Sequence, residues 1–161
     1  MELYLLRHGI AEDERPGKPD GARELTDEGR ERTAEVVKLA RAAVGEPSLI
    51  LSSPLIRAHQ TAKIAAKELG YRGDIEFINS LVPHSTPEQV WADVRERSDE
   101  KSILLAGHEP LMSALVAHFL NAPSLRVDMK KSALVRIDFE SVSAVPHGVL
   151  RWMVVPKLAE R

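Results

Sequence analysis

The sequence contains no cysteine, which excludes a structural disulfide, a thiolate nucleophile and the cysteine-rich zinc sites. An excess of charge is also missing, because 22 lysines and arginines stand against 24 aspartates and glutamates. This balance creates no global positive field, so we expect neither nucleic acid nor a membrane as a partner. Any anion that the protein binds must therefore be held by groups placed locally.

Long hydrophobic runs are absent as well. No apolar stretch approaches the roughly 20 residues that span a membrane, and the first residues lack the basic flank and cleavage pattern of a signal peptide. We therefore expect a cytoplasmic protein. A chain of 161 residues is long enough to bury a sizeable core, so we expect a single domain over residues 1–161. We also expect a monomer.

Short apolar runs alternate with amphipathic patterns along the first 120 residues. Runs without a 3.6-residue period, typical of buried strands, occur at residues 3–6, 48–52, 75–78 and 102–106. Helices are predicted where a capping residue or a proline opens an amphipathic pattern, after Thr26, after Ser53-Pro54, after Thr86-Pro87 and from Pro110. In the second of these, Ser53 is predicted to be the N-cap and Pro54 the first helical residue.

The last part of the chain changes to a two-residue period. Apolar and polar residues alternate from Ala133 to Phe139, and a second run extends from Val149 to Val155. A short polar link joins them, which favours an antiparallel pair beside an otherwise parallel sheet. The predicted fold is α/β: a three-layer α/β/α sandwich with a mostly parallel central sheet and a C-terminal antiparallel hairpin.

Between the first strand and the first helix, residues 10–24 are charged and rich in proline and glycine. Such a composition predicts a long surface loop without regular structure. A loop in this position could close over a site.

Polar side chains follow three of the predicted strands, at the point where each strand ends. They are Arg7 and His8 after the first strand, Ser53 and Arg57 after the second, and His108 after the fourth. The carboxyl ends of parallel strands lie at one edge of a sheet, which is where ligands bind in such folds, so we expect these groups to meet. Gly9 would let a ligand or another backbone approach closely. The alternative is that each strand simply runs into a solvated loop. That interpretation has to explain why polar side chains follow the end of a strand in three separate places.

Arg57 is informative because it falls in the first turn of a predicted helix. There the helix dipole disfavours a cation by about 0.3–1 kcal/mol at an exposed site, so we expect an anion that compensates. Two arginines, two histidines and two helix N-termini together describe a socket for a compact, multiply charged oxyanion such as phosphate.

A neutral imidazole is the best nucleophile available, since the sequence has neither cysteine nor a glycine-rich phosphate loop with its lysine. Either His8 or His108 could attack phosphorus. A zinc site is disfavoured, because neither histidine has a closely spaced ligand and the arginines repel a cation. We expect no metal and no cofactor. His59, His118 and His147 are interpreted as structural or solvated, whereas His84 could reach the mouth of the pocket.

This set of motifs resembles the histidine phosphatase, or phosphoglycerate mutase-like, superfamily. The motifs are Arg7-His8-Gly9, Arg23-Glu24-Leu25-Thr26, Ser53-Pro54 with Arg57-Ala58 and Gln60-Thr61, and Gly107-His108-Glu109-Pro110. The short chain is similar to the small branch of SixA-type phosphohistidine phosphatases. The resemblance implies a phosphohistidine intermediate on His8, with Arg7, Arg57 and His108 holding the phosphoryl group.

The resemblance also implies roles for further residues. Arg23 is expected to approach the pocket and Ser132 to lie at its floor. Gly9, Ser53 and Glu109 are expected to contribute to substrate binding.

One departure from the family bears on the substrate. Larger members carry a carboxylate after the third strand as proton donor to an alcohol leaving group, whereas residues 79–84 contain none. An alkoxide needs that proton because its parent resembles water, with a pKa of about 15.7, whereas the pKa of imidazole is about 6.5. The departure favours phosphohistidine in proteins, such as histidine-containing phosphotransfer domains, over small phosphate esters.

Other interpretations stay open at this point. Glu12, Asp13, His84 or Glu109 could supply a proton from elsewhere in the fold. The alternatives are a broad small-molecule phosphomonoesterase of the same superfamily and a phosphoryl-binding module without catalysis.

Overall fold

The computed structural model describes residues 1–160, and their strands form one six-stranded sheet. In chain order the strands are β1 (Glu2–Arg7), β2 (Leu49–Ser52), β3 (Ile75–Phe77), β4 (Ser102–Gly107), β5 (Leu134–Asp138) and β6 (Val149–Val154). They lie in the order β3-β2-β4-β1-β5-β6. The first four strands are parallel, whereas β5 runs antiparallel to both β1 and β6. The predicted sheet and its C-terminal hairpin are therefore confirmed.

Helices cover both faces of this sheet. They are α1 (Asp27–Val44), α2 (Ile56–Leu69), α3 (Pro87–Arg95), α4 (Leu111–Phe119) and the short α5 (Pro156–Ala159). Successive side chains of a strand point to opposite faces. In β1, Leu3 and Leu5 pack in one core with residues of α3 and α4, whereas Tyr4 and Leu6 pack in the other with residues of α1 and α2. The molecule is thus the predicted three-layer sandwich.

Two helices begin where the sequence predicts. The hydroxyl of Thr26 accepts a hydrogen bond from the N–H of Gly29 at 3.0 Å and caps α1. Thr86 and Gln89 form a reciprocal capping box at the start of α3. Each cap satisfies backbone donors that a helix start leaves without an intrahelical partner.

The predicted start of α2 is wrong by two residues. The helix begins at Ile56, and its N-cap is Leu55, which provides no side-chain cap. The Ser53 hydroxyl is used differently, because it lies 2.8 Å from the Nε2 atom of His108. Residues 53–55 therefore form a link that leads from β2 to the helix.

The loop at residues 10–24 is mostly irregular, as predicted, but it contains one turn of 3-10 helix at Asp20–Ala22. Its two ends are joined by an isolated antiparallel bridge between Ala11 and Leu25. The prediction that glycine and proline exclude all regular structure was therefore wrong for this turn. None of the helices in residues 1–160 has the length and apolar character needed to cross a membrane.

Candidate active site

Three neighbouring strands bring the predicted polar groups to one edge of the sheet. The last residue of β1, Arg7, is aligned with Gly107 at the end of β4, and Ser52 at the end of β2 is aligned with Ala106. The groups that follow these strand ends line a single cavity of about 440 Å³, here called the site cavity. Among its lining residues are Arg7, His8, Arg57 and His108. The expected convergence of these four side chains is therefore observed.

His8 is held with one ring nitrogen bonded and the other available. Its Nδ1 atom lies 2.7 Å from the carbonyl oxygen of Gly9. A carbonyl can only accept, so Nδ1 carries the proton and Nε2 keeps its lone pair. The side chain is buried, and burial together with the nearby Arg57 and Arg7 lowers the pKa of His8 to about 4, against the opposing effect of the Gly9 bond. The imidazole is thus neutral at pH 7 and has the electronic form of a nucleophile.

His108 stands beside His8, with 5.0 Å between the ring centroids. It is 1% exposed, and its Nε2 atom is 2.8 Å from the hydroxyl oxygen of Ser53. Burial, followed by the charges of neighbouring groups, lowers the pKa of His108 to about 2. Its Nδ1 atom is buried without a hydrogen-bond partner in the described chain, so this atom is available to bond a ligand in the site.

Arg57 supplies buried positive charge. It is 3% exposed, its Nη1 donates to the backbone oxygen of Asp20 at 2.9 Å, and its Nη2 lies 3.1 Å from the Asp20 carboxylate. The compensating anion expected near Arg57 is therefore Asp20, which the sequence did not identify. Arg7 donates from Nη1 to the oxygen of Met129 at 2.7 Å. The Nε atoms of both arginines are buried without partners in residues 1–160, which leaves capacity to bind an oxyanion.

Arg23 reaches the site cavity from the loop, in the place that the family resemblance implied. Its Nε and Nη2 atoms donate to one carboxylate oxygen of Asp20 at 2.9 and 2.8 Å, and its Nη1 donates to the backbone oxygen of Glu12 at 2.7 Å. Partial burial of Asp20 acts to raise its pKa, but the hydrogen bonds from Arg23 and Arg57 outweigh that effect and hold the pKa below its ordinary value. Asp20 is therefore an ionised link between two arginines.

Gly9 does not line the site cavity; its missing side chain makes room for a helix. A Cβ atom there would lie 2.6 Å from the hydroxyl of Thr33 and 2.8 Å from the backbone oxygen of Gly29, both in α1. Of the two reasons that the sequence suggested for this glycine, the close approach of another backbone is the one observed.

Ser53 and Ser132 also lie behind the cavity lining. Ser53 contacts His108, as described above. Ser132 is fully buried with a φ of 63°, its N–H donates to the backbone oxygen of His8 at 3.2 Å, and its hydroxyl bonds the hydroxyl of Thr33 at 2.8 Å. Ser132 therefore supports the backbone of His8 and faces α1, which differs from the floor position that we expected.

Glu109 lines the cavity, but one of its carboxylate oxygens is occupied. Oε1 accepts the N–H of Ser113 at 2.7 Å, at the start of α4. The N–H of Ser113 is therefore not available to an anion, although the sequence predicted that the N-terminus of this helix would contribute to anion binding.

The cavity lining also includes four other polar or charged residues, which are Glu14, Asp20, His84 and Lys131. Only His84 was considered from the sequence. Lys131 could have been found by the strand-edge argument, because it stands just before β5, whose amino end meets the carboxyl end of β1. Glu14 and Asp20 lie in the loop, where no periodic pattern places a side chain.

The remaining histidines lie outside the cavity lining. His59 packs edge-on against Phe77 with 4.7 Å between ring centroids, and His118 lies 3.9 Å from Glu88. His147 is exposed. In residues 1–160, no group of three or more histidine, aspartate or glutamate side chains is arranged so that it could hold a metal ion.

Comparison with known proteins connects this site to a family. A model of the histidine phosphatase superfamily (branch 1) matches residues 3–81, which include Arg7, His8, Ser53 and Arg57. An uncharacterised protein of the cyanobacterium Picosynechococcus is 38% identical over 113 residues, 68% of this chain and 67% of that protein. The phosphohistidine phosphatase SixA of Escherichia coli is 28% identical over 158 residues, 97% of this chain and 94% of SixA.

Solved structures give the same relationship at the level of the fold. The protein histidine phosphatase SixA complexed with tungstate superimposes with a TM-score of 0.87 at 24% identity, covering 99% of this chain and all of that one. The chain belongs to the histidine phosphatase superfamily, and it is a phosphatase. Within that superfamily its sequence is similar to SixA over nearly its whole length.

Proposed function

We propose that this phosphatase removes the phosphoryl group from phosphohistidine in proteins, such as histidine-containing phosphotransfer domains. The observation that carries the proposal is the state of His8. Its ring is buried and neutral, its Nδ1–H is fixed on the carbonyl of Gly9, and it lines a cavity with two arginines and His108. That combination favours attack by Nε2 on a phosphoryl group.

The proposed reaction has two steps. In the first, the Nε2 lone pair of His8 attacks phosphorus in line while the P–N bond of the substrate breaks and its electron pair leaves with the substrate imidazole. The Nδ1–H bond to Gly9 stabilises the positive charge that develops on the His8 ring. In the second step, water attacks phosphorus, the new P–N bond breaks, and its electron pair returns to Nε2. The released orthophosphate carries away both protons of the water.

Arg7 and Arg57 supply charge where the transition state needs it. Their guanidinium groups, including the unpaired Nε–H groups, can donate hydrogen bonds to the equatorial oxygens of a transferring phosphoryl group. His108, with its Nδ1 atom free of a protein partner, can contact a third oxygen. Because Arg57, His108 and the Nε atom of Arg7 are buried, their contacts act in a medium of low dielectric constant.

The lining of the cavity also bears on the leaving group. Asp20 is held ionised by two arginines, so it is a poor proton donor, and residues 79–84 contribute Pro83 and His84 to the lining without a carboxylate. The absence of a proton donor at Asp20 and in residues 79–84 suits a phosphoramidate, whose imidazole leaves more readily than an alkoxide.

A second candidate function is a small-molecule phosphomonoesterase. The carboxylates of Glu14 and Glu109 both line the site cavity, so either could protonate an alcohol leaving group. This candidate predicts turnover of phosphate esters and little activity on a phosphorylated protein.

Substrate competition in the presence of a metal chelator separates these functions. We expect kcat/KM for a phosphorylated phosphotransfer domain to exceed that for sugar phosphates and phosphoserine by at least about tenfold. The reverse order would favour the phosphomonoesterase. Binding of vanadate without turnover of any substrate would identify a phosphoryl-binding module, and loss of activity in the chelator would contradict a metal-independent mechanism.

A further inference from the structure

A second cavity, of about 640 Å³, lies beside the site cavity and carries five cationic side chains. They are Arg7, Arg32, Lys130, Lys131 and Lys157. We call this cavity the cationic groove. Arg7 and Lys131 also line the site cavity, so the two cavities meet at these residues.

The sheet topology explains why these cations converge. Lys130 and Lys131 precede β5, Lys157 lies in α5 just after β6, and Arg32 lies in the second turn of α1. In the register of the sheet, Leu134 at the start of β5 pairs with Leu6 of β1 and with Val154 at the end of β6. These chain segments therefore meet at the same edge of the sheet as the site cavity. The cationic groove lies on the side of the cavity that faces the β5–β6 hairpin.

The groove keeps a positive charge after its ion pairs are counted. Arg32 pairs with Glu28 at 2.9 Å and Glu160 at 3.4 Å, and Lys130 pairs with Asp128 at 2.7 Å. Five cations and these three carboxylates leave two positive charges, although the whole chain carries a net charge of −2. The positive potential is therefore a local property of this surface.

Two of the lysines are available for a partner. Among residues 1–160, no carboxylate lies within 4.0 Å of the ammonium groups of Lys131 and Lys157. The pairs made by Arg32 and Lys130 are exposed, and such pairs contribute little to stability, so a partner carboxylate can replace them.

The walls of the groove between the cations are apolar and are formed by Ile10, Val155 and Pro156. A free phosphate ion would not use these walls, whereas a peptide segment with acidic and apolar side chains would use both kinds of surface. No aromatic side chain of the described chain lines the groove, so it offers no stacking surface of the kind that single-stranded nucleic acids use.

We propose that the cationic groove binds an acidic segment of the phosphoprotein substrate that lies next to its phosphohistidine. This inference rests on the proposed function. The shared residues Arg7 and Lys131 would connect the docked segment to the phosphoryl group in the site cavity. Charged groups at the rim of an interface act mainly on the rate of association and its salt dependence.

The test uses two synthetic phosphohistidine peptides, one flanked by aspartate and glutamate and one by asparagine and glutamine. The variant is Lys130→Glu with Lys157→Glu, since neither residue lines the site cavity. The matched control is Lys38→Glu with Lys101→Glu, which makes the same change of net charge. Lys101 immediately precedes β4 at the opposite edge of the sheet, and Lys38 lies past the middle of α1. Phosphoramidate has no flanking residues, so its rate of hydrolysis shows whether the site cavity itself remains intact.

For the unmodified enzyme we expect kcat/KM about tenfold higher on the acidic peptide than on the neutral one at low salt. This preference should be lost in the Lys130/Lys157 variant, be retained in the control and decline as salt is added, while phosphoramidate turnover stays unchanged.

Equal kcat/KM on both peptides, or equal effects of the two double variants, would overturn the groove proposal while leaving the proposed function intact. No turnover of either peptide by the unmodified enzyme would instead refute the proposed function. Binding to phosphatidylglycerol vesicles that depends on Lys130 and Lys157, without discrimination between the peptides, would assign the groove to a membrane and also overturn the proposal.

Discussion

The two sides of the site cavity are built in different ways. One side, the buried wall, consists of His8, Arg57 and His108, which follow the ends of parallel strands and are at most 7% exposed. The other, the loop wall, consists of Glu14, Asp20 and Arg23 from residues 10–24, and the Asp20 side chain is 49% exposed.

This difference separates two roles. Groups on the buried wall are fixed by strand register and act where water screens charge poorly. Groups on the loop wall are held by hydrogen bonds at the surface, so they can exchange partners when an anion arrives. We therefore propose that the buried wall carries out the chemistry and that the loop wall adjusts the affinity for anions.

The largest effect is expected from removing the buried charge. Arg57→Ala should lower kcat by about 10²–10³-fold, because the buried arginine is proposed to stabilise the phosphoryl charge in the transition state. Arg72→Ala, at an exposed arginine outside the site cavity, is the control. A loss below tenfold in steady-state assays, with the fold intact by circular dichroism, would remove Arg57 from the mechanism.

The pH dependence of stability tests the neutral state of His8. Its pKa is about 4 in the folded protein and about 6.5 when unfolded, so between these values the unfolded chain binds a proton that the folded one does not. The free energy of unfolding should therefore fall as the pH falls through this window. Urea titrations at pH 7 and 5 should show the wild type losing about 1–2 kcal/mol more than His8→Asn. Equal losses would mean that His8 is not held neutral.

A smaller effect is expected from the support behind the buried wall. Ser53→Ala removes the hydroxyl at 2.8 Å from His108 Nε2 and should lower kcat about tenfold by releasing that ring. Ser52→Ala is the matched control, because the Ser52 hydroxyl donates to a backbone oxygen instead. Both variants should lose stability, but only Ser53→Ala should lose turnover. Equal kcat values would show that Ser53 is merely structural.

The smallest effect is expected on the loop wall. The Asp20 carboxylate competes with a bound anion for Arg57, and Asp20→Asn removes its charge. Inhibition by orthophosphate should therefore become about three- to fivefold stronger. Asp13→Asn makes the same charge change at an exposed position in the same loop. Weaker inhibition in Asp20→Asn would indicate that Asp20 orients Arg57 for the anion, and the contrast between the walls would then be wrong.

The same contrast explains what could be predicted from the sequence. The positions of Arg7, His8, Arg57 and His108 follow from recognising short apolar strands and from the rule that parallel strands share a carboxyl edge. Neither step needs knowledge of loops. The antiparallel hairpin was equally accessible, because a two-residue period identifies a strand with unlike faces.

Contacts that depend on long-range packing were missed. Asp20 lies in a proline- and glycine-rich segment without a period, so its approach to Arg57, 37 residues later, had no sequence signal. The start of α2 was misplaced because Ser53, a good N-cap residue, is instead placed against His108. The neighbours of Gly9 and Ser132 in α1 likewise depend on how that helix packs.

The most direct test of the mechanism is the transfer of label from substrate to enzyme. A phosphotransfer domain carrying radiolabelled phosphohistidine is mixed with the enzyme and quenched rapidly in alkali. We predict an alkali-stable, acid-labile label on the enzyme that maps to His8 and is absent in His8→Ala. Label on His108, or label that persists in His8→Ala, would contradict the assignment of His8 as the phosphoryl acceptor.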